Sequence, residues 1–334
     1  LRNRFALETL KKKIKFSPVV TIQGARQTGK STLARELLTN SCYTTLDRGP
    51  VREQANLRTE SWLIEQQLRA EDSIVVIDEA QKAPPIFDQI KFMVDENKRP
   101  GQFVLLGSTE FSRETLIKES LTGRVARVRI FPMTLAESLS YPFKAKTTIK
   151  RPDLVRYLED GGFPGIFSIR SKAERVGKLD EWIQVTCERD VLQIKTIKVD
   201  PDLCYRILEI LPHLEEPNQA SIANKLNTGI RKVEANLKAL TQIFVIHPVR
   251  PSMLCAGKTL YFLIDPSLAH HFKADFTCRL EAAVLTQLLA NRAYRNDAGT
   301  HIRYFRNSKG SRVNFILEDG VRSLQGYKIT SNEK

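Results

Sequence analysis

No stretch of this 334-residue chain approaches the roughly 20 consecutive apolar residues that a membrane-spanning helix needs, which argues against a membrane partner. Cysteine is sparse and scattered. Cys42, Cys187, Cys204, Cys255 and Cys278 form no C-x-x-C pair and have no histidine at zinc-ligand spacing, which excludes a zinc site and a disulfide framework. They are expected to be reduced and to serve as small apolar residues. Histidine clusters only at His270-His271, without an acid or cysteine at ligand spacing. There is no internal repeat and no low-complexity run. The opening residues carry no secretory-signal pattern and no Met at position 1, so the expectation is a cytoplasmic protein with a trimmed N-terminus. Acid is also short: 38 Asp and Glu face 52 Lys and Arg, a net charge of +14 that points to a polyanionic partner.

What is present begins with Gly24-Ala25-Arg26-Gln27-Thr28-Gly29-Lys30-Ser31, a complete P-loop. The β-branched run Pro18 to Gln23 precedes it as a buried strand, and Thr32 to Leu38 follows with helical spacing. The two glycines let successive N–H groups turn toward the phosphates of a nucleotide at the positive end of the helix. Lys30 is expected to reach the β- and γ-phosphates, Ser31 to place its hydroxyl on Mg²⁺, and Thr32 to close the phosphate cradle.

A second apolar run, Ser73 to Ile77, ends in Asp78-Glu79, where a buried parallel strand delivers its carboxylates to the sheet edge that carries sites. Asp78 suits a role on Mg²⁺, and Glu79 suits the base that orients the attacking water. A third run, Gln102 to Gly107, ends in Ser108-Thr109, either a γ-phosphate sensor or a strand-end cap. Arg124, before the strand-like Val125 to Ile130, reads as an arginine finger, an in-chain sensor or an ordinary surface arginine.

Residues 218–258 hold six Lys or Arg against one acid, a local net of +5. Ala220 to Leu226 reads as a helix, Asn227-Thr228-Gly229 as a turn, and Ile230 to Leu240 as a second helix with Ile230, Val233, Leu237 and Leu240 on one face. Ile243 to Ile246 and Thr259 to Ile264 read as two strands. Helix, turn, helix and hairpin make a winged helix. Lys225, Arg231, Lys232, Asn236 and Lys238 are the expected contacts to double-stranded DNA, with packing inside the protein as the alternative use.

With these motifs in order, the chain resembles the predicted AAA+ superfamily ATPases of bacteria and archaea, in which a P-loop core precedes a C-terminal domain of unknown function. Further marks are Leu46-Asp47, Ala80-Gln81, Pro132-Met133, Gly161-Gly162-Phe163-Pro164, Glu188-Arg189-Asp190 and Tyr261 to Pro266. The resemblance implies ATP with Mg²⁺ and an α/β fold: a P-loop AAA+ core with a parallel sheet, then a helical and winged-helix part, then a small α/β endonuclease-like domain. The boundaries expected are 1–141, 142–217, 218–264 and 265–334. In the last part the resemblance implies a helical Glu, a strand Val-Asp-Phe and a later Glu-x-Lys. This chain keeps Glu281 and Lys328 but has Asn314 and Gly326 where the two other carboxylates would stand. An amide and a glycine cannot hold a divalent ion, so cleavage by this domain is not expected. Glu318 and Asp319 are expected at a hairpin turn, pointing away from such a site. The function expected is ATP hydrolysis coupled to DNA binding, with a homo-oligomer if Arg124 acts across subunits; the alternative is a slow ATP-dependent switch whose degenerate C-terminal domain recruits a protein.

Overall fold

The computed structural model describes residues 3–37, 41–71, 73–109, 121–143, 148–194, 196–320 and 322–330. Ser120, ahead of Arg124, and part of the basic stretch 143–152 lie outside them. The chain divides into two compact units, residues 4–130 and the residues from Phe131 onward.

The first unit is built on five parallel strands, β1 (Val19–Gln23), β2 (Ser41–Thr45), β3 (Ile74–Asp78), β4 (Phe103–Gly107) and β5 (Val125–Arg129), in the order β2-β3-β4-β1-β5. Parallel neighbours require crossovers, and the crossover helices cover both faces of the sheet. That is why β1 and β4 are buried at every position and read as continuous apolar runs rather than alternating ones. Each fully buried branched side chain there contributes about 1.5–3 kcal/mol. The core gathers Val19, Val75, Ile77, Phe103 and Leu105 with Ile86, Phe87 and Ile90 of the helix Pro85–Glu96. Because all five strands run the same way, the loops after β1, β3 and β4 open on one edge.

The second unit starts with helices, among them Arg151–Asp160, Lys172–Val185 and Pro201–Ile210. Helices Gln219–Lys225 and Ile230–Gln242 follow, then the antiparallel pair β6 (Ile246–Pro251) and β7 (Leu260–Leu263). The helix Phe276–Tyr294 carries Glu281, and β8 (Thr300–Arg306), β9 (Arg312–Asp319) and β10 (Arg322–Tyr327) complete the fold. The hairpin is not isolated: β6 pairs in parallel with β8 at Arg250 and Pro251, giving one mixed sheet in the order β10-β9-β8-β6-β7.

Two expectations shift here. The first strand of the hairpin begins at Ile246, not Ile243, because Ile243 to Val245 cap the preceding helix: Phe244 has φ +63° and the Val245 N–H donates to the Leu240 carbonyl. Ile230, expected on the buried face of that helix, is 50% exposed.

Three sequence motifs without obvious chemistry meet in this unit. The Asp265 carboxylate accepts the N–H of Gly162 at 2.7 Å and the N–H and hydroxyl of Ser267, while the Met133 N–H donates to the Gly162 carbonyl at 2.6 Å. Distant segments are thereby clipped together at a turn.

Candidate functional site: a P-loop facing a carboxylate pair

The P-loop runs from the end of β1 into the helix Lys30–Leu37. Gly24 is required by space, since a Cβ there would lie 2.2 Å from the Ile130 carbonyl oxygen, where the chain leaves β5. The Lys30 ammonium is buried and donates to the carbonyls of Gly24 and Ala25, both at 2.9 Å. Thr28 is buried and its hydroxyl donates to the Ala25 carbonyl at 2.8 Å. Arg4 braces the loop from outside through the Thr28 carbonyl at 2.6 Å. Arg26 and Gly29 are half-buried and Gln27 is exposed with φ +60°; Ser31 is half-buried and Thr32 exposed at the helix start.

Across the same edge, β3 ends in Asp78, followed by Glu79 in the left-handed region at φ +56°. That turn sends the two carboxylates in different directions. Asp78 is buried; it accepts the Glu79 N–H at 2.9 Å through one oxygen and the Tyr43 hydroxyl through the other. Burial, then the hydrogen bond to Asp78, pushes the Tyr43 phenol up to about 12, and Arg35 lies over its ring at 4.3 Å. Glu79 is joined to Gln81 at 2.5 Å and to the Ser108 hydroxyl at 3.3 Å, with Gln81 also donating to Ser108 at 3.3 Å. Burial holds the Glu79 carboxyl above the usual range, with Lys30 opposing and Asp78 reinforcing that shift. Register places Ser108 directly after β4, the strand between β3 and β1, so it stands between the acid pair and the P-loop.

Arg124 is elsewhere. It precedes β5, whose first residue pairs with Val19, so it lies at the strand-start edge, opposite the P-loop. There it makes a two-pronged pair with Asp95 at 2.5 and 2.8 Å. Five-residue strands separate it from its own P-loop, which corrects the in-chain sensor reading.

The expected nucleic-acid residues separate into two groups. Lys225, Arg231, Lys232 and Lys238 are exposed. Asn236 is buried, 1% exposed; it accepts the Asp200 N–H at 3.0 Å and the Cys204 thiol at 3.1 Å and donates to the Lys232 carbonyl at 2.8 Å. It joins the helix Ile230–Gln242 to the helix Pro201–Ile210 and cannot reach a base edge, a correction to the expected contact.

In the C-terminal sheet, Glu281 is taken up by both Arg312 and Asn314, and Asn314 also accepts the Ile329 N–H at 2.8 Å. A guanidinium therefore stands where a metal would meet this carboxylate. Gly326 pairs with Ile316 across β9 and β10, and Lys328 is exposed. Glu318 and Asp319 end β9 at the hairpin to β10, as expected; Asp319 is exposed there, while Glu318 is buried and bonded to Ser252, because β8 and β6 continue the sheet beside it.

Sequence reasoning missed Tyr43, Gln81 as the partner of Glu79, and Arg4. Gln81 was visible in the run Ile77 to Gln81, but nothing there assigned it a task. Tyr43 could be connected to Asp78 only once β2 was known to pair with β3.

This arrangement is that of a P-loop nucleotide-binding site. Residues 16–139 match the family described as AAA domain, and residues 151–277 match a domain of unknown function, DUF8612. The first unit of the chain is accordingly similar to AAA domains and has the P-loop α/β fold. Among similar proteins are uncharacterised proteins of Mycobacterium tuberculosis and Mycobacterium bovis, each 27% identical over 261 residues, covering 77% of this chain and 55% of the relative. The chain thus spans about half the length of the curated relatives it matches. A Walker-type ATPase of Pyrococcus abyssi shares the fold with a TM-score of 0.52 at 14% identity, over 80% of this chain and 94% of that one. No helix among the described residues is long and apolar enough to cross a membrane.

Proposed function

We propose that the protein hydrolyses ATP with Mg²⁺ and couples the cycle to double-stranded DNA held by a winged helix, residues 218–264. The observation that carries the chemistry is the chain Glu79, Gln81 and Ser108 facing the loop of Lys30. The donor set fits the nucleotide and its metal: a buried ammonium for phosphate, and a hydroxyl on Ser31 and carboxylate on Asp78 as hard oxygen donors. An ion held by Ser31 and Asp78 would take its remaining oxygens from phosphates and water. Mg²⁺ bound there would neutralise charge on the β- and γ-phosphates. Gly24 to Thr32 supply the phosphate cradle, Lys30 follows the charge as it spreads, and Glu79 orients water with Ser108 and Gln81 fixing its carboxylate. Arg124 contributes only by leaving Asp95 and reaching a neighbouring copy, which makes an oligomer part of this reading.

The Tyr43 hydroxyl fixes Asp78, and its loss should show in metal affinity before it shows in chemistry. Tyr43→Phe is expected to raise the Mg²⁺ concentration needed for half-maximal binding of a fluorescent ATP analogue by about tenfold, a usual consequence of removing such a support. An unchanged Mg²⁺ titration would release Tyr43 from this role.

For DNA, Arg231→Glu with Lys232→Glu is expected to weaken duplex binding and to flatten the slope of log K against log salt by about two, one phosphate contact per residue. Fluorescence anisotropy across a salt series checks this, and unchanged affinity would take the winged helix out of the interface. A second reading, an ATP-dependent switch that recruits a protein, rests on the Arg312–Glu281 pair: the carboxylate where the resemblance implies a metal ligand is satisfied by a cation, so this part is assigned no cleavage. Tight ATP binding without turnover, with or without duplex, would favour that switch, and nicked DNA in the same incubation would refute the non-cleaving assignment.

A further inference from the structure

The second unit carries a concentration of arginine that the winged helix does not use. Arg151, Arg156, Arg170 and Arg175 line one open groove of about 610 Å³ with Pro152, Val155, Glu159 and Asp160. Four guanidiniums against two carboxylates leave an excess of +2 at one place. Lys172 adds another cation in the small cavity that adjoins it through Glu159, Asp160 and Arg175.

The groove is organised, not merely charged. Asp160, 9% exposed, takes the Nε of Arg175 at 3.0 Å on one oxygen and the Nε of Arg156 at 3.2 Å on the other. Arg175 is pinned further by the carbonyls of Ile169 at 2.8 Å and Arg170 at 2.9 Å. Arg156 also lies over the ring of Phe167, 5.2 Å from its centroid. One buried carboxylate thus fixes two forks from behind, so less side-chain freedom is lost when an anion arrives. Arg151 and Arg170 are exposed and have no ion-pair partner among the described residues.

We propose that this groove is a second phosphate-binding surface, which takes the backbone of double-stranded nucleic acid alongside the winged helix; it rests on the nucleic-acid reading above. Planar forks match phosphate oxygens two at a time. A groove of this volume is far larger than a single phosphate, which favours a polyanion over a free ion. No aromatic residue among the described ones lines it, so they offer no platform on which unpaired bases could stack, and contact is to the backbone of a duplex.

The experiment compares the full chain with Arg151→Glu/Arg170→Glu, with Arg231→Glu/Lys232→Glu and with all four changes, on a fluorescent 30-base-pair duplex across a salt series. Melting curves check folding, Arg151→Ala/Arg170→Ala is the milder form, and Arg151→Lys/Arg170→Lys keeps the charge. The groove variant is expected to lose affinity and to flatten the salt slope by about two, the lysine form to recover most of the loss, and the four-fold variant to lose more than either pair. Loss in the groove variant alone would keep the groove and remove the winged helix. Loss in the winged-helix variant alone overturns the groove and keeps the winged helix. No binding by the parent chain at low salt overturns both, and poly-glutamate binding that depends on Arg151 and Arg170, with duplex affinity unchanged in their variant, assigns the groove to acidic protein instead.

Discussion

Glu79→Gln is expected to lower ATP turnover by about 10²–10⁴-fold while ATP still binds, because the amide keeps the shape of the side chain and loses the group that takes a proton from water. The geometry makes this a clean substitution. An amide oxygen can still accept from Gln81 and Ser108, the partners that Glu79 has now, so the turn at φ +56° and the position of Ser108 should persist. Phosphate release measures the loss, and a fluorescent ATP analogue checks that binding survives. Adding duplex DNA to the parent chain separates the coupled ATPase, whose turnover rises, from the slow switch, whose turnover stays negligible. Parent-like turnover in Glu79→Gln would move the base elsewhere and leave the Asp78-Glu79 pair to metal binding and structure.

Much of this site was legible in the sequence because its signals are local. A P-loop is eight consecutive residues, and each buried strand announces its own C-terminal end, so Lys30, Asp78, Glu79 and Ser108 could be placed at one edge from runs of apolar residues alone. What depends on strand order or on helix packing was not legible. Tyr43 is an unremarked aromatic until β2 is seen to pair with β3. The in-chain sensor reading of Arg124 stayed open beside the finger and surface readings because nothing in its neighbours says that it stands before β5 at the far edge from the P-loop. Asn236 carries the residue type of a base contact, yet the same donor and acceptor groups serve to join two helices, and only the position of Asp200 and Cys204 decides between these uses. The burial of Glu318 at its hairpin was not legible, because the parallel pairing of β6 with β8 brings Ser252 beside it from 66 residues away.

Gly161→Ala is expected to destabilise the second unit by about 3 kcal/mol or more, the range of a strained backbone combined with an overpacked core. Gly161 has φ +71° and ψ −162°, a region that side-chain-bearing residues scarcely enter, and an added Cβ would sit 2.1 Å from Asp265 Oδ1 and 2.4 Å from Ser267 Oγ. Neither atom can retreat without breaking the clip, since Asp265 is fully buried and holds Gly162 and Ser267 at once. The same clip gives stability a pH dependence. Burial pushes the Asp265 carboxyl from 3.8 up to about 6, against the hydrogen bonds that favour its charge. The folded state therefore binds a proton more readily than the unfolded chain, and this group's contribution is fully present below its unfolded pKa and lost as pH rises through about 6. A shift of that size corresponds to on the order of 3 kcal/mol between the two ends. Thermal melting of the parent and of Asp265→Asn at pH 4.5 and 7.5 isolates it: the parent should gain stability relative to the variant at the lower pH. A gap that stays constant with pH would mean that Asp265 titrates as it does in the unfolded chain, and the clip would then be held by Gly161 and its backbone contacts without a carboxyl of altered acidity.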